Sequence, residues 1–146
     1  MISIDTNILF AALDEDNEHH SKAVTFIDSL QDRSDVAISE FMLLELYFLL
    51  RNPAVLTKPL SASAAVNVCE VLRQHPNWQV IGFPPDRRSF HGQFWPRLRV
   101  KDFARHRAFD WRAGLSLIQQ GVTEFATVNL KDSKALGLRG FGILWQ

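Results

Sequence analysis

Five short apolar runs, each parted from the next by a helical pattern, constrain this chain more than any other feature. The runs are Ile2–Ile4, Val36–Ile38, Trp78–Phe83, Glu124–Thr127 and Gly142–Trp145. Helical periodicity fills the gaps at about 8–13, 18–30, 40–51, 61–74, 88–98, 108–120 and briefly 132–136. Short buried strands separated by helices predict βαβ units, and hence an α/β domain with a mainly parallel sheet. Pro53 and Pro59 bound a break after the third helix, Pro84 and Pro85 end the third strand, and Pro96 interrupts the aromatic stretch "SFHGQFWPRLR". With 146 residues, and no repeat or low-complexity linker, one domain over 1–146 is expected.

Composition excludes several classes. Hydrophobic content of 47% with sixteen charges of each sign describes a globular chain, not a disordered one. No apolar run approaches the roughly 18 residues a membrane span needs, and "MISI" lacks the charge of a signal peptide. The single cysteine, Cys69, falls among Val66, Val68, Val71 and Leu72, which predicts a buried thiol and a cytoplasmic protein. Neither "GxxxxGK" nor "GxGxxG" is present, so the usual nucleotide-binding loops are missing.

Charge is unevenly placed. Residues 1–45 carry ten acidic side chains against Lys22 and Arg33. Residues 86–112 reverse the balance, with Arg87, Arg88, Arg97, Arg99, Lys101, Arg105, Arg107 and Arg112 against three aspartates. Such poles suit either a cation site beside an anion-binding surface, or self-association. The segment "DEDNE" at 14–18 lacks the glycine and final glutamate of a calcium loop and reads as a solvated face. His19 and His20 are adjacent, so they do not share a helix face and make a poor metal pair.

In parallel α/β sheets, ligands gather at the carboxyl ends of the strands. Asp5 stands there, directly after the first strand. Two further acids lie in line with apolar helix stripes. At about 100° per residue, Glu45 falls between Phe41 and Phe48 on one side and Leu49 on the other. A buried unpaired charge is expensive, so Glu45 either has a use or sits at the stripe's margin, paired with Arg51 or Arg112. Asp110 is flanked by Ala113, Gly114, Leu117 and Ile118, with Arg112, Ser116 and Gln119 on the opposite side. Helix capping also explains an aspartate in a first turn.

Three clustered carboxylates need a counter-charge, since two like charges about 5 Å apart repel by roughly 3 kcal/mol at an effective dielectric of 20. Magnesium and manganese prefer oxygen ligands and suit phosphate substrates, where they activate a water and stabilise a leaving oxygen. The basic segment, with Arg97, Arg99, Lys101, Arg105, Arg107 and Arg112, would then hold a phosphate backbone. The group Phe90, Phe94 and Trp95 fits either base stacking or core packing.

The segments "ISIDTNILFAALDEDNEHHSKA", "AISEFMLLELYFLLRNP", "RHRAFDWRAGLSLIQQGV" and "FATVNLKDSKALG", ending with "FGILWQ", resemble PIN domains, specifically the VapC-type toxins of bacterial toxin–antitoxin pairs. Residues 54–95 are the least diagnostic part of the likeness. The resemblance implies a parallel sheet of about five strands flanked by helices and an Mg²⁺- or Mn²⁺-dependent endoribonuclease. Asp5 and Asp110 match the family's central metal-binding aspartates, Glu45 its second acid, and Thr6 and Thr127 hydroxyl positions beside the site. A fourth acid is common two residues after the late threonine; here that position is Asn129, and Asp132 is the alternative. The resemblance further implies a cognate VapB-type antitoxin, an RNA substrate, and a homodimer or toxin–antitoxin hetero-oligomer. Two other classes stay in view: a PIN-like module that binds RNA or protein with little hydrolysis, and a receiver-like domain, which would want a lysine late on its last strand where "GILWQ" has none.

Overall fold

The computed structural model describes residues 1–135 and 139–142, with side chains as far as Lys134 apart from Asp132 and Ser133. Strand β1 (Ile2–Ile4) leads into helix α1 (Thr6–Leu13), then α2 (His20–Leu30), β2 (Val36–Ser39) and α3 (Glu40–Leu50). There follow α4 (Ala62–Arg73), β3 (Gln79–Ile81), α5 (Arg87–Leu98), α6 (Arg107–Gln119), β4 (Glu124–Thr127), α7 (Leu130–Ala135) and β5 (Arg139–Gly142). All five strands are parallel, in the order β3-β2-β1-β4-β5. The expected α/β fold and five-stranded parallel sheet are present.

Alternation along the strands sorts side chains between two faces. Ile2, Ile4, Val36, Ile38 and Ala126 pack with Ile8, Leu9, Leu43, Leu46 and Ala65, a core shared with α1, α3 and α4. On the other face, Ala37 and Phe125 meet Ala113 and Leu117 of α6. Beyond them Leu115 meets Phe90 and Phe94 of α5. Helix α6 is therefore covered on two sides, which is why Ser116, expected on its polar side, is fully buried and donates to the Ala113 carbonyl at 2.8 Å.

Helix α5 runs through Pro96 to Leu98, as its periodicity predicts, because a proline so near the carboxyl end disturbs little of the helical ladder. Two other local readings change. The last strand is Arg139–Gly142 rather than Gly142–Trp145, set by its pairing of Glu124 with Arg139 and Thr127 with Gly142; residues 143–146 lie outside those described. The aromatic group divides: Phe90 and Phe94 are core, whereas Trp95 is 56% exposed. Cys69 is half-buried, beside the Leu43 carbonyl. No described helix is long and apolar enough to cross a membrane.

Candidate metal centre

Strand order reverses at one place in this sheet. From β1 the chain adds β2 and β3 on one side, and later β4 and β5 on the other. The crevice at the carboxyl ends of β1 and β4 is the switch point, where ligands of open α/β sheets collect. Register places Ile4 against Ala126, so the next residues, Asp5 and Thr127, face each other across it. The Asp5 N–H donates to the Ala126 carbonyl at 2.8 Å, continuing the ladder, and the Thr127 hydroxyl donates to Asp5 Oδ2 at 2.6 Å.

Asp5 occupies the N-cap of α1 but makes no capping bond with its side chain. Its carboxyl is pushed above the usual aspartate range, chiefly by burial and further by the nearby charge of Asp110. The Thr127 hydroxyl and the N–H groups of Asn7 and Thr6 pull the other way. Asn7 braces this arrangement: its amide donates to Thr127 Oγ1 at 3.2 Å, and its Oδ1 accepts from the Val128 N–H at 3.3 Å. Asn7 is thus a supporting residue that periodicity alone did not single out. Its signal is the Asn two residues beyond the strand-end acid.

Glu45 comes from α3, whose buried residues are Met42, Leu43, Leu46 and Leu50. It is not enclosed in an apolar stripe, as expected from Phe41 and Phe48; it stands exposed at the stripe's margin, beside a Phe48 that is 68% exposed. Nor does it pair with Arg51 or Arg112. Arg51 donates to the Tyr47 hydroxyl, and Arg112 stacks on Phe41. Glu45 Oε2 instead accepts from the buried Thr6 hydroxyl at 3.2 Å. Partial desolvation, then Asp5, then Asp110 hold its carboxyl above the ordinary range, against the Thr6 hydrogen bond.

Asp110 lies in the first turn of α6, at the exposed head of the stripe that continues through Ala113, Gly114 and Leu117. Asp5, Glu45 and Asp110 thus feel one another's charge, and neither Asp5 nor Glu45 has a cationic partner among the described residues. Three mutually repelling carboxylates with hydroxyls behind them are hard oxygen donors of the kind Mg²⁺ or Mn²⁺ takes. Among the described residues no three acidic, histidine or cysteine side chains close around a single point.

Thr6 and Thr127 each donate a hydroxyl hydrogen bond to one of the acids, Glu45 and Asp5 respectively. Asn129 is exposed, and its Oδ1 accepts from the Lys131 N–H at 3.3 Å, the contact of an N-cap at the start of α7. Asp132 falls within α7, but its side chain lies outside those described. Ser39, which sequence reasoning passed over, ends β2 in the row of Asp5 and Thr127, fully buried with its hydroxyl unpaired. Of the basic residues, Arg99, Lys101 and Arg105 are exposed between α5 and α6, and Arg107 opens α6. Arg97 stacks on Trp111 with its guanidinium carbon 4.6 Å from the ring centre.

Comparison with known proteins places this arrangement. The PIN domain family model matches residues 2–89. The chain is 39% identical to ribonuclease VapC24 of Mycobacterium tuberculosis over 145 residues, which cover 99% of this chain and 95% of that protein. In structure it resembles Mycobacterium tuberculosis VapC20, described as a sarcin-ricin loop cleaving toxin, with a TM-score of 0.69 at 19% identity, covering 92% and 95% of the two chains. It also resembles VapBC2 of Rickettsia felis bound to a DNA fragment from its promoter, with a TM-score of 0.64 at 18% identity over 97% and 98%. The chain belongs to the PIN domain family, in its VapC branch.

Proposed function

We propose that the protein is a divalent-metal-dependent endoribonuclease toxin that hydrolyses RNA phosphodiesters. The observation that carries the reading is the set of three acids at the sheet's switch point, with Asp5 and Glu45 held above their ordinary pKa range and no cation beside either among the described residues. Support comes from the 39% identity to a protein named a ribonuclease. Asp5, Glu45 and Asp110 would hold Mg²⁺ or Mn²⁺. When bound, such an ion lowers the pKa of a water and offsets charge on the leaving oxygen. Thr127 and Thr6 fix the two carboxylates in place through their hydroxyls, leaving the remaining carboxylate oxygens for the ion.

A cytoplasmic nuclease has to be restrained, and the Rickettsia felis structure is of a VapBC pair. We infer a VapB-type antitoxin as partner here. An apolar groove of about 300 Å³ between α1, α2 and α4, with Leu9, Leu13, Val24, Ile27 and Val68 among its walls, offers it a seat. The acidic bias of residues 1–45 favours a basic segment in that partner.

The test is cleavage of total RNA with Mg²⁺ or Mn²⁺, with chelator and with Asp5→Asn. Cleavage should need the metal and vanish in the variant. In cells, expression alone should arrest growth, and co-expression of the neighbouring antitoxin gene should restore it through a stable complex. Growth arrest that persists in Asp5→Asn would favour the non-hydrolytic binding module instead.

A further inference from the structure

Arg112 is held in an unusual way for a guanidinium. Its carbon lies 4.2 Å from the ring centre of Phe41 on α3 and 5.5 Å from that of Phe109, one turn earlier on α6. Nε is enclosed by protein and has no acceptor. No carboxylate among the described residues pairs with the side chain, and none of its donors is taken by a hydrogen bond there. The ring contacts favour the cation where it stands, the enclosed Nε lacks a partner, and the two terminal nitrogens are not among the buried unpaired atoms, so they are free to meet an anion from outside.

Its two rings tie it to the metal centre. Phe41 is one turn before Glu45 on the same face of α3, and Phe109 directly precedes Asp110. The same two helices therefore position two of the acids and this one arginine. Arg112 is not among the groups that shift Asp5 or Glu45. Phe109 is itself 67% exposed, which leaves the arginine at an open edge and not in a sealed core.

We propose that Arg112 is a phosphate-binding residue of this site, taking a backbone phosphate of single-stranded RNA next to the one held over the acids. A planar guanidinium pre-stacked on rings loses little freedom when it binds a phosphate in its fork. It also supplies the positive charge that a phosphodiester needs when it approaches three carboxylates. This inference rests on the ribonuclease reading and deepens it, by separating one arginine from the general basic surface.

The experiment is a titration of a fluorescent single-stranded RNA oligonucleotide at several salt concentrations, in the Asp5→Asn background so that no cleavage intervenes. Arg112→Gln should weaken binding by about tenfold and reduce the salt slope by about 0.7, the share of one phosphate contact on a single strand. Arg112→Lys should recover only part of the loss, because an ammonium keeps the charge without the stacked fork. Lys58→Gln, the same loss of one charge at an exposed site outside the basic segment, should have a much smaller effect. Should Arg112→Gln fail to fold, Phe109→Ala keeps the arginine, removes one of its rings, and should weaken binding several-fold.

Equal affinity and slope for Arg112→Gln and its parent would overturn the assignment, as would an equal loss in Lys58→Gln. Unchanged RNA binding accompanied by lost self-association in sedimentation would overturn it too, moving the guanidinium to an interface between copies. If the native protein cleaves no RNA with Mg²⁺ or Mn²⁺, the ribonuclease reading falls, and this inference with it.

Discussion

The carboxylate of Asp5 sits against Thr127 at the junction of β1 and β4, where burial and Asp110 both favour its protonated form. An acid with a folded pKa above its unfolded value binds its proton more tightly in the native state. The native chain then holds more protons than the unfolded one from the ordinary aspartate value of 3.8 up to the raised value, and stability falls as pH climbs through that window. Metal-free protein in chelator should therefore lose stability relative to Asp5→Asn as pH rises from about 4, as read from denaturation midpoints. Parallel curves for the two proteins would show that Asp5 carries no such strain. Thr127→Val tests the opposing contact. It leaves a buried carboxylate oxygen without its donor, so it should destabilise the protein by about 1–3 kcal/mol at pH 7 and weaken divalent-ion binding. Asp5, Glu45 and Asp110 were legible in the sequence because each breaks or borders an apolar pattern. Asn7 and Ser39 were not, because a small polar residue at a strand end looks the same whether it braces a site or only begins a helix.

At the level of elements, Asn129 shows how a site position and a helix cap compete for one side chain. Its oxygen meets the Lys131 N–H, so its first task is to start the six-residue helix α7. Asn129→Ala should cost about 1 kcal/mol, the usual loss for an N-cap, with faster amide exchange confined to α7. Asn129→Asp retains a cap of equal quality. If Asp at this position also tightens Mn²⁺ binding, the oxygen serves both roles; if affinity is unchanged, capping is its whole contribution and Asp132 becomes the residue to test. Strands β1, β2 and β4 and most helix ends were readable from periodicity, since each of these strands is a short, largely apolar run between helical patterns. Two element-level features were not. Strand β5 includes Arg139 and two glycines, and its place is set by the ladder with β4 and not by composition. Helix α3 is apolar on nearly every side, with Leu44 and Phe48 each 68% exposed, so its buried face cannot be told from hydrophobicity alone. That is why Glu45 looked embedded when it stands at an edge.

For the molecule as a whole, the neutral net charge conceals a division of labour between the acidic first third and the basic segment around α5 and α6. The fold brings Asp5 and Glu45 from the acidic part to Asp110 at the end of the basic one, so the proposed cation site would form only when both parts are docked on the same sheet. An ion held there by residues 5, 45 and 110 binds the folded chain and not the unfolded one, and so must stabilise the entire fold by mass action. At a free Mn²⁺ concentration about one hundred times its Kd, the gain is about 2.7 kcal/mol. For a chain of this size that corresponds to a rise in Tm of roughly 5–10 °C. Asp5→Asn and Asp110→Asn should each abolish most of the rise, although the first donor follows β1 and the second lies more than one hundred residues later in α6. The variants should melt no lower than the native chain in chelator, because each removes a repulsive charge. Calorimetry with and without Mn²⁺ decides the matter: a single transition that shifts in the native protein and stays fixed in both variants is the expected result. A shift that survives either substitution would mean that the two acids do not share an ion.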